Sequence, residues 1–245
     1  MFKKAKVILL GLAFSGLISI SHAELVIGVN SGYEPFEFKD KTGKLTGFDI
    51  DLMNEICIEL SEKCTYVDVP FGHLGAQLKL GQFSAIISAI SMSEVRKKQI
   101  AFTEPYYSNP TIMVGLDPSL TSIESLNGKS VGVLLESQEK LFLKAKYPEI
   151  MVDSFELIDR AIDALNQGKV SAVFADTNAI KHFLKENSNM KIIGDPVTDT
   201  QYFGAGFGIG FKKDNEKMRD LVNKALEEIK ASGRYQKIYD KWFNQ

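Results

Sequence analysis

Short β-branched runs alternate with helical patterns along most of this chain, and that alternation limits the fold more than any other feature of the sequence. Glu24–Asn30 (ELVIGVN), Thr65–Val69, Ser84–Ile87, Ser130–Leu134, Val170–Phe174 and Lys191–Ile193 all have the composition of strands. Between them, Ile50, Met53, Cys57 and Leu60 follow the three-to-four spacing of one buried helix face, with Asp49 expected as the cap. Ile158, Ala161, Ile162 and Leu165 repeat the spacing later. Strands and helices in alternation imply mostly parallel sheets with helix-covered faces, an α/β architecture. Ligands of such sheets sit beyond the carboxyl ends of the strands, so the residues just after each run are the first candidates for a site.

Two extended stretches interrupt the alternation. Tyr106–Gly115 leads into Asp117-Pro118 and the turn-rich Ser119–Ser122, and Tyr202–Phe211 ends in the glycine-alternating FGAGFGIGF. Read as crossings between two lobes, they assign residues 24–110 and 205–245 to lobe 1 and residues 111–204 to lobe 2. The block from Asp214 to Phe243 is a charged, glycine-interrupted helical pattern whose apolar stripe (Met218, Leu221, Val222, Ala225, Leu226, Ile229) indicates packing.

The N-terminus bears on the compartment. Lys3, Lys4 and Lys6 precede an apolar run from Val7 to Ile20, and Ser21-His22-Ala23 supplies small residues where a signal peptidase needs them. Residues 1–23 are expected to be a signal peptide cleaved after Ala23. The alternative, a membrane anchor, is disfavoured because the 14-residue run is broken by Gly11, Ser15 and Gly16 and falls short of a span. Losing three lysines leaves 26 basic against 31 acidic residues, a net charge of −5, which excludes a basic nucleic-acid surface and disfavours adsorption to anionic lipid. The two cysteines, Cys57 and Cys64, are expected to oxidise to a disulfide in an exported chain, contributing at most about 2–3 kcal/mol because the loop it closes is small. Two separate buried thiols or two metal ligands are the alternatives, and a metal is disfavoured because His73 and His182, the histidines outside the leader, lack zinc-type spacing.

Few patterns suggest catalysis. Gly128-Lys129-Ser130-Val131-Gly132 has the letters of a nucleophile elbow, but Ser130 opens a strand where the motif needs a strand before it and a helix after. No P-loop is present, no cofactor is indicated, and Gly204, Gly206, Gly208 and Gly210 are too evenly spaced for a dinucleotide fingerprint. Those glycines suit close packing or bending of a strand. More informative is Ser88-Ala89-Ile90-Ser91-Met92-Ser93-Glu94-Val95-Arg96, directly after a strand. Hydroxyls and free backbone N–H groups there, with an arginine that can take both oxygens of a carboxylate, form a carboxylate receptor. The bland reading is a solvated arginine beside Lys97 and Lys98. Asp176, after another strand, can receive an ammonium group or cap the following helix. Tyr33 and Phe71 can sandwich a flat or cationic side chain, or belong to the core.

Several further motifs recur in one order: Tyr33-Glu34-Pro35-Phe36-Glu37-Phe38, Gly47-Phe48-Asp49-Ile50-Asp51-Leu52, the Cys57/Cys64 pair, Ser91 through Arg96, Phe102-Thr103-Glu104-Pro105-Tyr106-Tyr107, Tyr202-Phe203-Gly204 and Ile238-Tyr239-Asp240-Lys241-Trp242-Phe243. With them, residues 24–245 resemble the periplasmic amino-acid-binding proteins of ABC importers, in the group that binds lysine, arginine, ornithine, histidine or glutamine. The terminal region is most similar to the arginine-binding branch. The resemblance implies a periplasmic monomer of two α/β lobes that closes on one amino acid and docks on a membrane permease, with no catalytic step. It implies that Arg96 and Ser91 hold the α-carboxylate, with backbone N–H groups near Ser91 and Gln138. It further implies that Asp176 takes the ammonium with Ser88 and Ala89, that Tyr33 and Phe71 stack on the side chain, and that Ser137, Gln138 and Glu139 line the second lobe. One departure stands out: binders of basic amino acids usually carry an acid where this chain has Asn30, leaving Glu37, Glu136 or Glu139 to compensate. Some exported relatives of this fold are dehydratases of cyclic carboxylates, which would require a general acid such as Glu136 or Glu139.

Overall fold

The computed structural model describes residues 24–108 and 110–244. The expected leader, with its cleavage point after Ala23, lies outside the described residues. The chain starts in β1 (Glu24–Val29), turns through the ribbon β2 (Phe38–Lys39) and β3 (Leu45–Thr46), and enters α1 (Phe48–Glu59). Next come β4 (Lys63–Asp68), α2 (Phe71–Lys79), β5 (Ala85–Ile86), α3 (Glu94–Lys97) and β6 (Ala101–Phe102). It then crosses to β7 (Thr111–Gly115), β8 (Ser130–Leu134), α4 (Gln138–Lys146), β9 (Met151–Phe155), α5 (Ile158–Asn166), β10 (Ala172–Asp176), α6 (Thr177–Glu186) and β11 (Lys191–Val197). The return runs through α7 (Thr200–Phe203) and β12 (Gly210–Phe211) to α8 (Glu216–Ala231) and α9 (Arg234–Phe243).

Two five-stranded sheets result, ordered β4-β1-β5-β12-β6 and β11-β7-β10-β8-β9, and they make a two-lobed molecule. Each sheet has four strands running one way and one running against them. β12 is antiparallel to β5 and β6, and β7 to β10 and β11, while β1–β4, β1–β5, β8–β9 and β8–β10 pair in parallel. The reversed strands are the ones by which the chain enters the second sheet and re-enters the first. Parallel neighbours need a helical crossover, and α1, α2, α4 and α5 supply them. The α/β reading and its mostly parallel sheets are therefore observed.

Local departures have local causes. Tyr202 and Phe203 are not extended but close α7, because the Asp199 carboxylate accepts from the Gln201 N–H at 2.9 Å and starts a helix there. The chain runs extended only beyond Gly206, where Phe207 bridges to Ser91 and Tyr107. A Cβ on Gly204 would lie 2.2 Å from the Met92 carbonyl oxygen and one on Gly206 2.1 Å from that of Tyr107, so these glycines serve close packing. Asp49 does not cap α1. That helix begins at Phe48 behind Gly47, and Asp49 is fully buried in its first turn.

The first lobe's core is aromatic where it approaches the cleft. Phe36, with no exposure, packs edge-on to Tyr107 (5.1 Å between ring centres) and Phe207 (5.3 Å) and against Phe243 (5.4 Å). The Cys57–Cys64 disulfide ties α1 to β4. The C-terminus is fastened to α1 through Arg234, which contacts Glu55 at 2.9 Å and Glu59 at 2.6 Å, and through Asp51, which accepts from Lys241 at 2.6 Å and from the Trp242 indole at 2.8 Å. In the second lobe one face of the sheet packs on Phe142, Phe174 and Phe203, the other on Ile158, Ile162 and Leu165.

Candidate functional site

The carboxyl ends of strands from both sheets face one cleft. Asn30 and Tyr33 follow β1, Phe71 follows β4, and Ser88, Ala89 and Ser91 follow β5; across from them Ser137, Gln138 and Glu139 follow β8, Glu156 follows β9 and Asp176 ends β10. About 640 Å³ of space, including the solvent at its mouth, lies within the cleft. All ten residues proposed from the sequence as ligand contacts line it together with Arg96 among them, and so do Glu37 and Glu139. Gly32, Leu134, Leu135, Glu156, Phe174 and Ala175 line it as well and were not anticipated.

Arg96 is placed by a short helix. Ser93 caps α3, its hydroxyl accepting from the Arg96 N–H at 3.3 Å, and so turns the arginine inward. The guanidinium lies 5.1 Å from the centre of the Phe71 ring and donates to the Ser91 carbonyl at 3.3 Å. It also reaches the other lobe, donating to the Glu136 carbonyl at 3.4 Å. Burial pulls its pKa down to about 10, against the pull of Glu139, Asp176 and Glu136, so it stays charged near neutrality. Opposite it, α4 begins at Gln138 behind the cap Ser137, and the N–H groups of a first helical turn have no partners within the helix. Gln138 is 4% exposed and its Oε1 has no partner. Glu136 adopts a left-handed backbone (φ 60°), and a Cβ on Gly72 would fall 1.5 Å from its carboxylate, so the lobes meet closely at this point.

Asp176 stands at the cap position of α6, but its side chain makes no capping bond. Its Oδ2 instead accepts from the Tyr33 hydroxyl at 2.6 Å, across the cleft. Burial first, and the Asp176 charge second, raise the Tyr33 phenol well above its usual value. Tyr33 stacks on Phe36 at 5.8 Å and Phe71 lies under Arg96, so each aromatic has one face engaged by the protein. Asn30 spends its side-chain N–H on the Val69 carbonyl at 3.1 Å, and its backbone N–H donates to the Ser88 hydroxyl at 3.1 Å. Burial raises the Glu139 carboxyl, against donors at the start of α4 and the Arg96 charge. Glu156 is exposed at the cleft. Arg96 is thus the cation among the described lining residues, facing Glu37, Glu139, Glu156 and Asp176. Among the described residues no cluster of His, Cys, Asp or Glu suits a metal ion.

A cleft of this kind, between two sheets at their carboxyl ends, can hold a small zwitterion at both ends. Residues 25–245 match the family of bacterial extracellular solute-binding proteins, family 3. This chain belongs to that family. It is 34% identical to the putative ABC transporter arginine-binding protein 2 of Escherichia coli (strain K12), over 98% of this chain and 99% of the relative. It is 36% identical to the histidine-binding periplasmic protein of the same organism, over 89% and 86%. Its structure superposes with a TM-score of 0.83 on a Salmonella typhimurium periplasmic binding protein of high arginine specificity, 31% identical, covering 90% of this chain and 99% of that one. These relatives are named as solute-binding proteins and not as enzymes, which sets the dehydratase alternative aside.

Proposed function

We propose that this protein is the periplasmic component of an ABC importer for a basic amino acid, arginine foremost, released as a monomer by cleavage after Ala23 and delivering its ligand to a membrane permease. One observation carries the reading: Arg96 from the first lobe and Asp176 from the second line the same cleft. Arg96, Ser91 and the first N–H groups of α4 take the α-carboxylate; Asp176 takes the ammonium with Ser88 and Ala89. With those two charges matched, Glu37, Glu139 and Glu156 remain, so the lining is acidic on balance and suits a cationic side chain passing over Phe71 and Tyr33. Glu156 stands where a compensating acid is needed, since Asn30 is neutral. The lobes, residues 24–110 with 205–245 and residues 111–204, close because the closed form alone pairs both ligand charges, and desolvating them unpaired costs several kcal/mol each.

A thermal-shift screen of the common amino acids tests this. Arginine at a hundred times its dissociation constant stabilises by ~2.7 kcal/mol, a rise of about 5–10 °C in a chain this long. An unmoved midpoint with arginine and a raised one with glutamine would overturn the cationic reading.

A further inference from the structure

Two buried carboxyls beneath the Ser88–Ala89 segment have no task in the reading above. Glu37, 1% exposed, accepts from the Ser88 hydroxyl at 2.8 Å. Asp49 accepts from the Ala89 N–H at 2.8 Å and from the Tyr106 hydroxyl at 2.9 Å. Each carboxyl keeps one buried oxygen, Glu37 Oε2 and Asp49 Oδ1, with no hydrogen-bond partner among the described residues. Held on the adjacent residues Ser88 and Ala89, each with an unpaired buried oxygen, the two carboxyls favour a proton on one of them, since burial penalises a second uncompensated charge. The groups acting on the pair come from several elements: Tyr33 after β1, Tyr66 in β4, Tyr106 before β7, Asp176 in β10 and Tyr235 in α9, and none is a cation; Arg96 lines the same cleft but is engaged with Glu139, Asp176 and Glu136. A proton, not a counter-ion, therefore relieves the pair. Burial raises both carboxyls, Asp49 to about 7. Ala89 is held at φ 42°, a left-handed conformation unfavourable for a residue with a Cβ, and the Asp49 bond to its N–H fixes it there.

We infer that Glu37 and Asp49 are positioning residues for the ammonium end of the site, two neighbouring buried carboxyls with one proton between them that aim Ser88 and Ala89 into the cleft and give up part of that proton when a cationic ligand settles there. The inference rests on the amino-acid reading. Glu37 itself lines the cleft, so a positive charge beside it favours its ionised form. The bound state then holds fewer protons than the free state, and affinity rises with pH through the range where the pair titrates.

The test is calorimetric titration of the full protein with arginine at about pH 7.5, in one buffer of small and one of large ionisation enthalpy. The expected binding enthalpy depends on the buffer, with net release of protons on binding. Glu37→Gln keeps an acceptor for Ser88 and a donor for Asp49 but cannot titrate; it is expected to bind arginine more weakly and with the same enthalpy in both buffers. Should that variant fail to fold, Asp49→Asn gives the same readout. Binding by the wild type with no buffer dependence, or an unchanged dependence in the variant, overturns the inference alone. Absence of binding to arginine, lysine and histidine overturns the amino-acid reading and this inference with it.

Discussion

Arg96→Ala is expected to weaken arginine binding about a thousandfold, the ~4 kcal/mol that removing one partner of a buried ion pair costs, while the circular dichroism and unfolding midpoint of the free protein stay near wild type. The loss is large because the site offers the carboxylate no second cation: the lining of the cleft is otherwise acidic or neutral. The fold is spared because the guanidinium's own contacts are two long bonds to carbonyls, at 3.3 and 3.4 Å, and the face of Phe71. Removing them leaves no buried donor stranded. Calorimetry on the purified variant reads the first part of the expectation and a urea titration the second; binding within tenfold of wild type would contradict it.

Phe36→Ala is expected to act the opposite way, on stability first. The side chain is wholly enclosed between Tyr33, Phe48, Tyr107, Phe207 and Phe243, rings drawn from both ends of the first lobe. Rigid rings cannot collapse into the space it vacates, so the loss falls at about 3–5 kcal/mol. Equilibrium urea unfolding checks this as a lowered midpoint with an unchanged slope. Affinity should fall less than stability, because Phe36 itself does not line the cleft and acts on it through Tyr33, which it stacks on, and Glu37, its chain neighbour.

The site was legible wherever a strand was legible. Asn30, Ser88, Ser137 and Asp176 each follow a run whose apolar residues are largely buried, and Phe71 follows β4, an edge strand that is half-buried or exposed but whose Thr-Tyr-Val sequence is still strand-like; the rule that ligands gather at carboxyl ends then points to all five. Glu156 escaped because β9, with the sequence Met-Val-Asp-Ser-Phe, is an edge strand whose residues are half-buried or exposed, and its pattern is too polar to read as a strand. Recognising that strand would have flagged the residue after it. β7 was visible only as an extended crossing, since nothing local tells a crossing from a strand paired antiparallel on both sides. Asp49 was misjudged for another reason. Its place near the start of a helix suits a cap, and the partners that bury it, Ala89 and Tyr106, lie 40 and 57 residues further along the chain. Asp176 shows the converse: it does sit at a cap position, yet its carboxylate turns to Tyr33, 143 residues away.

Arginine and agmatine differ by the α-carboxylate alone, so their affinities for the wild type and for Arg96→Ala isolate what that guanidinium grips. The wild type should prefer arginine by about three orders of magnitude, and the variant should bind the two about equally. A variant that still preferred arginine as strongly as the wild type would show the carboxylate held elsewhere, and the assignment of the cleft's two ends would be wrong.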